Sequence, residues 1–296
     1  VPEKLVVIGG GVIGLEMACY YQSVGSEVVV VEMLDHIAGN VDPEIGKRLQ
    51  NVYEKQGMVF HLSAQVTEVS DNTVKFVKDG ETQTVEGDYI LLACGRRPAT
   101  AGFGLENLSL EMERGRILVN DKLETSVPGV YAIGDVIATP ALAHVASKEG
   151  EIAAGHVASV LRGAPPPREK RVDAGVVPSA VYGDPEIASF GLQEEQAQAQ
   201  NIPHNVFSFP YRGIGKAVAS EKTDGFVKIV ATPDGAKILG AVMVGERATD
   251  LIHEPLLARN AGLRVEDLAD FIHAHPTVAE GIQECARGLL DRAIHV

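Results

Sequence analysis

The run Lys4-Leu5-Val6-Val7-Ile8 empties into Gly9-Gly10-Gly11-Val12-Ile13-Gly14, a Gly-x-Gly-x-x-Gly spacing. In a chain with 31 glycines that spacing alone is weak. Its surroundings strengthen it. A strand pattern precedes it and an amphipathic helix from about Gly11 to Val24 follows. A second strand, Glu27–Val31, then ends in Glu32, 21 residues after Gly11. In that frame Gly9 permits a tight turn, Gly11 lets the backbone approach a pyrophosphate, and Gly14 lets helix and strand pack closely. Phosphates would meet unpaired amides at the helix N-terminus, where the dipole is positive. Glu32 would accept from the hydroxyls of an adenine ribose. A glycine-rich turn with no ligand is the plain alternative, and the four features together stand against it. Residues 33–39 hold no lysine or arginine to receive a 2′-phosphate, so NAD is expected over NADP. His36 there reads as a solvated loop histidine.

At 296 residues the length suggests about two domains, and 45% hydrophobic content is enough for packed cores. No apolar run approaches the ~20 residues that span a bilayer, and no basic-then-apolar leader opens the chain. It starts directly on a strand, which suggests a portion of a longer protein. The net charge of −14 would repel a phosphate backbone, so nucleic acid is excluded and basic proteins are favoured as partners. Cys19, Cys94 and Cys285 lie far apart in apolar settings. Buried reduced thiols are expected rather than a disulfide or a metal site, and with them a reducing, cytoplasmic location.

The α/β order continues with a helix capped by Asp42 and opened by Pro43, then strands at Gln65–Val69 and Thr73–Val77. Lys78-Asp79-Gly80 turns towards a further strand, and Tyr89–Cys94 reads as the last buried strand of this unit. A strand at Val130–Ile133 and a helix over roughly Ala141–Leu161 come next, before the stiff linker Gly163-Ala-Pro-Pro-Pro167. From about Val172 the order becomes strands first and helices after. Strands fall at Val176–Tyr182, Ile187–Phe190, Phe226–Val230 and Ile238–Val244, the last two joined by the turn Thr232-Pro-Asp-Gly235. Helices fall at Gln193–Gln200, Thr249–Asn260, Val265–Phe271 and Ala279–Arg292. This is an α+β arrangement.

Residues 273–280 read His-Ala-His-Pro-Thr-Val-Ala-Glu. An imidazole takes a proton near neutral pH, and a carboxylate on its far nitrogen fixes the tautomer and stabilises the cation. The segment resembles the active-site signature of the disulfide-reducing flavoproteins, the pyridine nucleotide-disulfide oxidoreductases. Its His-Ala-His-Pro-Thr form is most similar to their dihydrolipoamide dehydrogenase branch. Tyr131-Ala-Ile-Gly-Asp135 resembles that family's second FAD signature, and Asp184–Gly191 with Phe209-Pro210-Tyr211 resembles its interface domain. The resemblance implies three parts. These are a Rossmann-type NAD-binding domain with an antiparallel insert (1–117), the second half of a split FAD domain (118–171), and an α+β dimerisation domain (172–296).

It further implies His275 as the base with Glu280 as its partner, and leaves His273 to pack structurally. Gly9, Gly10, Gly11, Val12, Ile13, Gly14, Glu16, Glu32, Val66 and Gly95 would belong to the NAD site. Asp135 would bind the flavin ribityl chain, and Ala141, Leu142, Ala143 and His144 would meet the pyrimidine side of the ring. The implied partners are a second copy of the chain and the lipoyl-bearing acyltransferase of a 2-oxo acid dehydrogenase complex. Glu246, Asp250, Glu254, Glu266, Asp267 and Asp270 form a candidate acidic face for a basic domain of that acyltransferase. The family's redox-active Cys-x4-Cys pair is absent from this sequence, so no lipoamide-dependent NAD reduction is expected of these residues alone. Another FAD-dependent disulfide reductase, or a non-catalytic module that binds NAD and dimerises, are the alternatives. Arg212-Gly-Ile-Gly215 departs from the family pattern after Phe-Pro-Tyr.

Overall fold

The computed structural model describes residues 1–39, 41, 43–168 and 171–295; the expected cap Asp42 lies outside the described residues. Two compact units emerge, one made of Val1–Gly95 with Pro178–Val296 and the other of Arg96–Val177.

In the first unit, β1 (Lys4–Ile8), β2 (Glu27–Val31), β3 (Val59–His61) and β7 (Tyr89–Leu92) form a parallel sheet in the order β3-β2-β1-β7. Val28 to Val31 are all buried, as β-branched residues are in a strand covered on both faces. Helix α1 (Val12–Ser23) turns Leu15, Ala18 and Cys19 into the core, and α2 (Pro43–Lys55) opens on proline as expected. The antiparallel insert is β4 (Gln65–Ser70), β5 (Thr73–Lys78) and β6 (Glu81–Glu86). Asp79 and Gly80 both take positive φ, +53° and +81°, as a two-residue hairpin turn between right-twisted strands requires.

Two sequence expectations need correction here. The last strand stops at Leu92 and is not buried, with Tyr89 67% and Leu92 65% exposed. It sits at the sheet edge, with β1 as its one strand neighbour among the described residues. Cys94, beyond its end, is therefore exposed, whereas Cys19 and Cys285 are buried. Strand β3 carried no periodic signal, since three residues cannot establish one.

The same unit holds an antiparallel sheet in the order β10-β11-β14-β13-β12. Its strands are β10 (Ser179–Val181), β11 (Ile187–Gly191), β12 (Asn205–Pro210), β13 (Phe226–Ala231) and β14 (Ile238–Val244). Helix α4 (Glu194–Ala199) falls among these strands where a helix was expected, and α5 (Gly215–Ala219), which the sequence did not signal, interrupts them again. The expected helix 249–260 divides into α6 (Ala248–Leu251) and α7 (His253–Asn260); α8 (Val265–Asp270) and α9 (Glu280–Gly288) follow. Val28, Val30, Ile45 and Tyr53 share one apolar core with Val181, Phe226 and Val244.

The second unit contains the short pair β8 (Met112–Glu113) and β9 (Arg116–Ile117) and the long helix α3 (Ala143–Arg162). Ile117, Leu123, Ala132, Ile137 and Ile152 form its core. Val130–Ile133 is not a strand. A single bridge joins Tyr131 to Glu124, because the chain doubles back through Gly129, at φ +80°, with no ladder alongside. Helix α3 ends on Gly163 in the left-handed conformation, φ +64°. No described helix is long and apolar enough to cross a membrane.

Candidate functional site

The glycine loop leaves the carboxyl end of β1, where parallel α/β sheets open a crevice for ligands. A Cβ on Gly14 would stand 2.0 Å from the Gly9 carbonyl oxygen, and one on Gly9 would stand 2.6 Å from that of Ala93. Gly11 has nothing within 4 Å of where a Cβ would be, so its open side is available to a ligand. It is also the N-cap of α1 and supplies no side-chain cap, which leaves the first-turn amides facing the loop. A cleft of about 140 Å³ is lined by Gly10, Gly11, Val12, Glu32 and His36.

Glu32 is braced before any nucleotide arrives. Its Oε2 accepts from the Gly10 amide at 2.5 Å and its Oε1 from the Leu34 amide at 2.7 Å. Each carboxylate oxygen keeps a further lone pair for a ribose hydroxyl. His36 pairs through Nδ1 with Asp35 at 2.6 Å, and that contact holds the Asp35 carboxyl below its usual range. Gly95 takes φ +116° just past the end of β7. Val66 and Glu16 lie differently. Val66 pairs with Phe76 in the insert and packs on its apolar cluster. Glu16 Oε1 accepts from the Tyr182 amide at 3.0 Å, tying α1 to the antiparallel sheet.

In the second unit, Gly134 and Asp135 form a 3-10 turn with Gly134 at φ +70°. The Gly134 amide donates to the wholly buried Glu149 of α3 at 2.7 Å, which fixes that turn against the helix. Asp135 Oδ2 lies 3.2 Å from Arg96, and both side chains are exposed. Helix α3 begins at Ala143 with Leu142 as an N-cap that offers no side-chain hydrogen bond. Such an end suits a group that gains negative charge, as the pyrimidine side of a reduced flavin does.

The His-Ala-His segment joins α8 to α9 and makes two His–Glu pairs. His275 Nδ1 lies 2.8 Å from Glu280 Oε1, with the imidazole 76% exposed and the carboxylate 27%. Glu280 Oε2 accepts from the Thr277 amide at 2.8 Å. Burial pushes the Glu280 carboxyl up, but the Thr277 amide and His275 outweigh it and hold its pKa below the usual value. With Nδ1 committed to Glu280, the neutral imidazole keeps its lone pair on Nε2, which has no partner among the described residues. His273 makes the second pair, Nε2 to Glu254 Oε1 at 2.8 Å, with its side chain 3% exposed.

The brace from Thr277 was not anticipated, although the Thr-x-x-Glu spacing of residues 277–280 carries a capping signal. Arg96 and Glu149 were missed as well; no local pattern marks either. The candidate acidic face proves to be internally paired. Glu246 accepts from Ser220, Asp267 from the Arg264 amide, and Glu254 pairs with His273. Asp250, Glu266 and Asp270 lie within 4 Å of Arg247, Arg264 and Arg292. The two buried thiols are poor nucleophiles, since burial raises Cys19 and pushes Cys285 up to about 12.

Residues 1–150 match the family described as pyridine nucleotide-disulphide oxidoreductase, and residues 177–286 match its dimerisation domain. The chain is 41% identical over its whole length to dihydrolipoyl dehydrogenase 1, mitochondrial, of Arabidopsis thaliana, covering 58% of that protein. It is 40% identical to the mitochondrial dihydrolipoyl dehydrogenase of Dictyostelium discoideum, covering 61%. Among solved structures it resembles LpdA from Mycobacterium tuberculosis, with TM-score 0.86, 29% identity, and coverage of 97% of this chain and 62% of that one. The chain thus spans about three-fifths of the length of the curated relatives it matches. Those relatives are named as mitochondrial, which overturns the cytoplasmic location expected from the cysteines. Reduced thiols identify a reducing environment and no particular compartment.

Proposed function

This chain belongs to the pyridine nucleotide-disulphide oxidoreductase family, and we propose that it carries the nucleotide-binding, dimerisation and acid–base parts of a dihydrolipoamide dehydrogenase. The observation that carries the reading is the His275–Glu280 pair, whose exposed ring turns no other contact to its Nε2 among the described residues. Nε2 would accept the proton of a dihydrolipoamide thiol, and Glu280, kept ionised by Thr277, would stabilise the imidazolium so formed. The thiolate is the nucleophile the family's disulfide requires. Bound FAD would supply the electron relay between that disulfide and NAD.

Gly9 to Gly14 and Glu32 would hold NAD, with pyrophosphate at the α1 N-terminus and adenine ribose on Glu32. Gly95 would border the same crevice, and Glu16 and Val66 would support it from α1 and the insert. Asp135 would hold the ribityl hydroxyls, and residues 141–144 would face the flavin pyrimidine. We assign these roles to parts 1–117, 118–171 and 172–296. A homodimer through the last part, serving the lipoyl-bearing acyltransferase of a 2-oxo acid dehydrogenase complex, completes the reading. The identities to dihydrolipoyl dehydrogenases support the partner assignment better than charge does, because the acidic residues are already paired.

The test is NAD reduction by the full-length protein with dihydrolipoamide, and with reduced glutathione as the competing thiol. Turnover with dihydrolipoamide alone is expected. A preference for glutathione would assign the chain to a sister reductase.

A further inference from the structure

We propose that His273 is a second working histidine, held as an imidazolium to position the loop that presents His275. The inference rests on the reading of His275 as the base. His273 itself touches neither substrate nor cofactor; it is a positioning residue.

The geometry carries it. Nε2 of His273 faces Glu254 Oε1 on α7 at 2.8 Å, and Nδ1 faces the Phe271 carbonyl oxygen at 3.1 Å. Both partners are acceptors, so both ring nitrogens must donate, and an imidazole with two N–H groups is a cation. The side chain is 3% exposed, so water is poorly placed to replace the bond to Glu254. The Phe271 ring stands edge-on to the imidazole at 5.2 Å and limits its rotation. From the other side, Gln283 of α9 donates to the same Phe271 carbonyl and to that of Ala269, and Arg287 also donates to Ala269. The turn is therefore clamped to α9 by Gln283 and Arg287 and to α7 by His273. Release of the His273 clamp frees the side on which His275 follows two residues later.

The clamp titrates. Glu254 on α7 raises the imidazole's pKa by its hydrogen bond; burial opposes this and loses, and Glu280 at the head of α9 adds to the rise. His275 and His295 are the other titratable groups near Glu280. A raised folded-state pKa gives stability that is fully present below the unfolded value and lost as pH rises through the folded one. Above that point the ring has one N–H for two acceptors, and one bond is lost.

Imidazole nitrogen NMR on this chain tests the charge, and thermal unfolding between pH 6 and 9 tests the clamp. His273 should show two protonated nitrogens at pH 7 and titrate later than an ordinary histidine. The Tm should fall through that titration, and His273→Gln, whose amide donates without titrating, should lack the fall. Glu254→Gln should move the titration of His273 back down, and serves if His273→Gln does not fold. In the full-length enzyme, the lipoamide half-reaction should lose an alkaline limb in His273→Gln. A singly protonated His273 at pH 6.5 would overturn the proposal, as would the same pH dependence of Tm in wild type and His273→Gln. Full activity of His275→Gln would instead overturn the base assignment, and the NMR result would stand apart from it.

Discussion

On the reading proposed above, the glycine loop and the histidine loop would do comparable work with different materials. At the first, the phosphate-facing groups would be backbone amides, left reachable by Gly11, which has nothing within 4 Å of a Cβ position. Gly14 lets helix and strand close up, since its Cβ would meet a carbonyl oxygen at 2.0 Å. At the second, side chains do the work, each oriented by another: Thr277 braces Glu280, and Glu280 orients His275. A backbone-built site is insensitive to pH but intolerant of added atoms. A site built from side chains tolerates atoms and depends on protons.

The largest effect that tests this contrast is kinetic. In the full-length protein, His275→Gln should slow the lipoamide half-reaction by about 10²–10⁴-fold, the usual range for a lost general base. With a side chain 76% exposed, the same change should leave stability within about 0.5 kcal/mol of wild type. Stopped-flow traces of the two half-reactions decide it, since hydride exchange between NADH and flavin should be spared. Equal slowing of both would mean that His275 does more than move a thiol proton.

Next come the glycines. Gly14→Ala should destabilise the chain by about 3 kcal/mol, because the crowding atom is backbone and cannot swing away. NAD binding should go with it. Gly11→Ala should cost at most about 1 kcal/mol in urea unfolding, the N-cap preference of glycine over alanine, since its added methyl meets no protein atom, yet weaken NAD in calorimetric titration. Wild-type affinity in Gly11→Ala would refute the close approach of backbone to pyrophosphate. A smaller effect is cofactor choice: NAD should bind more tightly than NADP, whose 2′-phosphate would face Glu32 in the cleft. NADP binding as tightly as NAD would remove Glu32 from the ribose.

The smallest effect is acid sensitivity. The Glu280 pKa is depressed in the fold, so its contribution is present above the unfolded carboxylate value and lost as pH falls through the folded one. Glu280→Gln should remove at most about 1 kcal/mol of stability at neutral pH and flatten the acid side of the unfolding profile. An unchanged acid limb would show that Thr277 and His275 do not hold the charge.

The same contrast explains what could be read from residues alone. Strands β2 and β14 begin and end where the sequence placed them, because apolar residues fill both faces of each almost throughout. The glycine loop was equally legible, for glycine is mandatory where backbone meets backbone. Strand β12, Asn205–Pro210, was not: it lies at a sheet edge and ends in proline. Val130–Ile133 has strand-like residues but forms only the isolated bridge of Tyr131 to Glu124 among the described residues, which no local pattern can reveal. The His275–Glu280 pair followed from spacing and resemblance, whereas the Glu254–His273 pair joins residues 19 apart through tertiary packing. Cys94 read as buried from its apolar neighbours, but exposure was decided by where the strand ends.

The shared core of β2, α2, β10, β13 and β14 has a consequence for how such a protein can be rearranged. Val28, Tyr53 and Phe226 belong to one buried cluster, although more than 170 residues of chain separate the last two. The nucleotide fold is consequently not a cassette. Lifted out at Gly95, it would expose the apolar wall that Val181, Phe226 and Val244 now cover. Shuffling of such a gene has to carry both ends of the chain together, while the segment between Arg96 and Val177 forms its own core and is the part that exchange could reach.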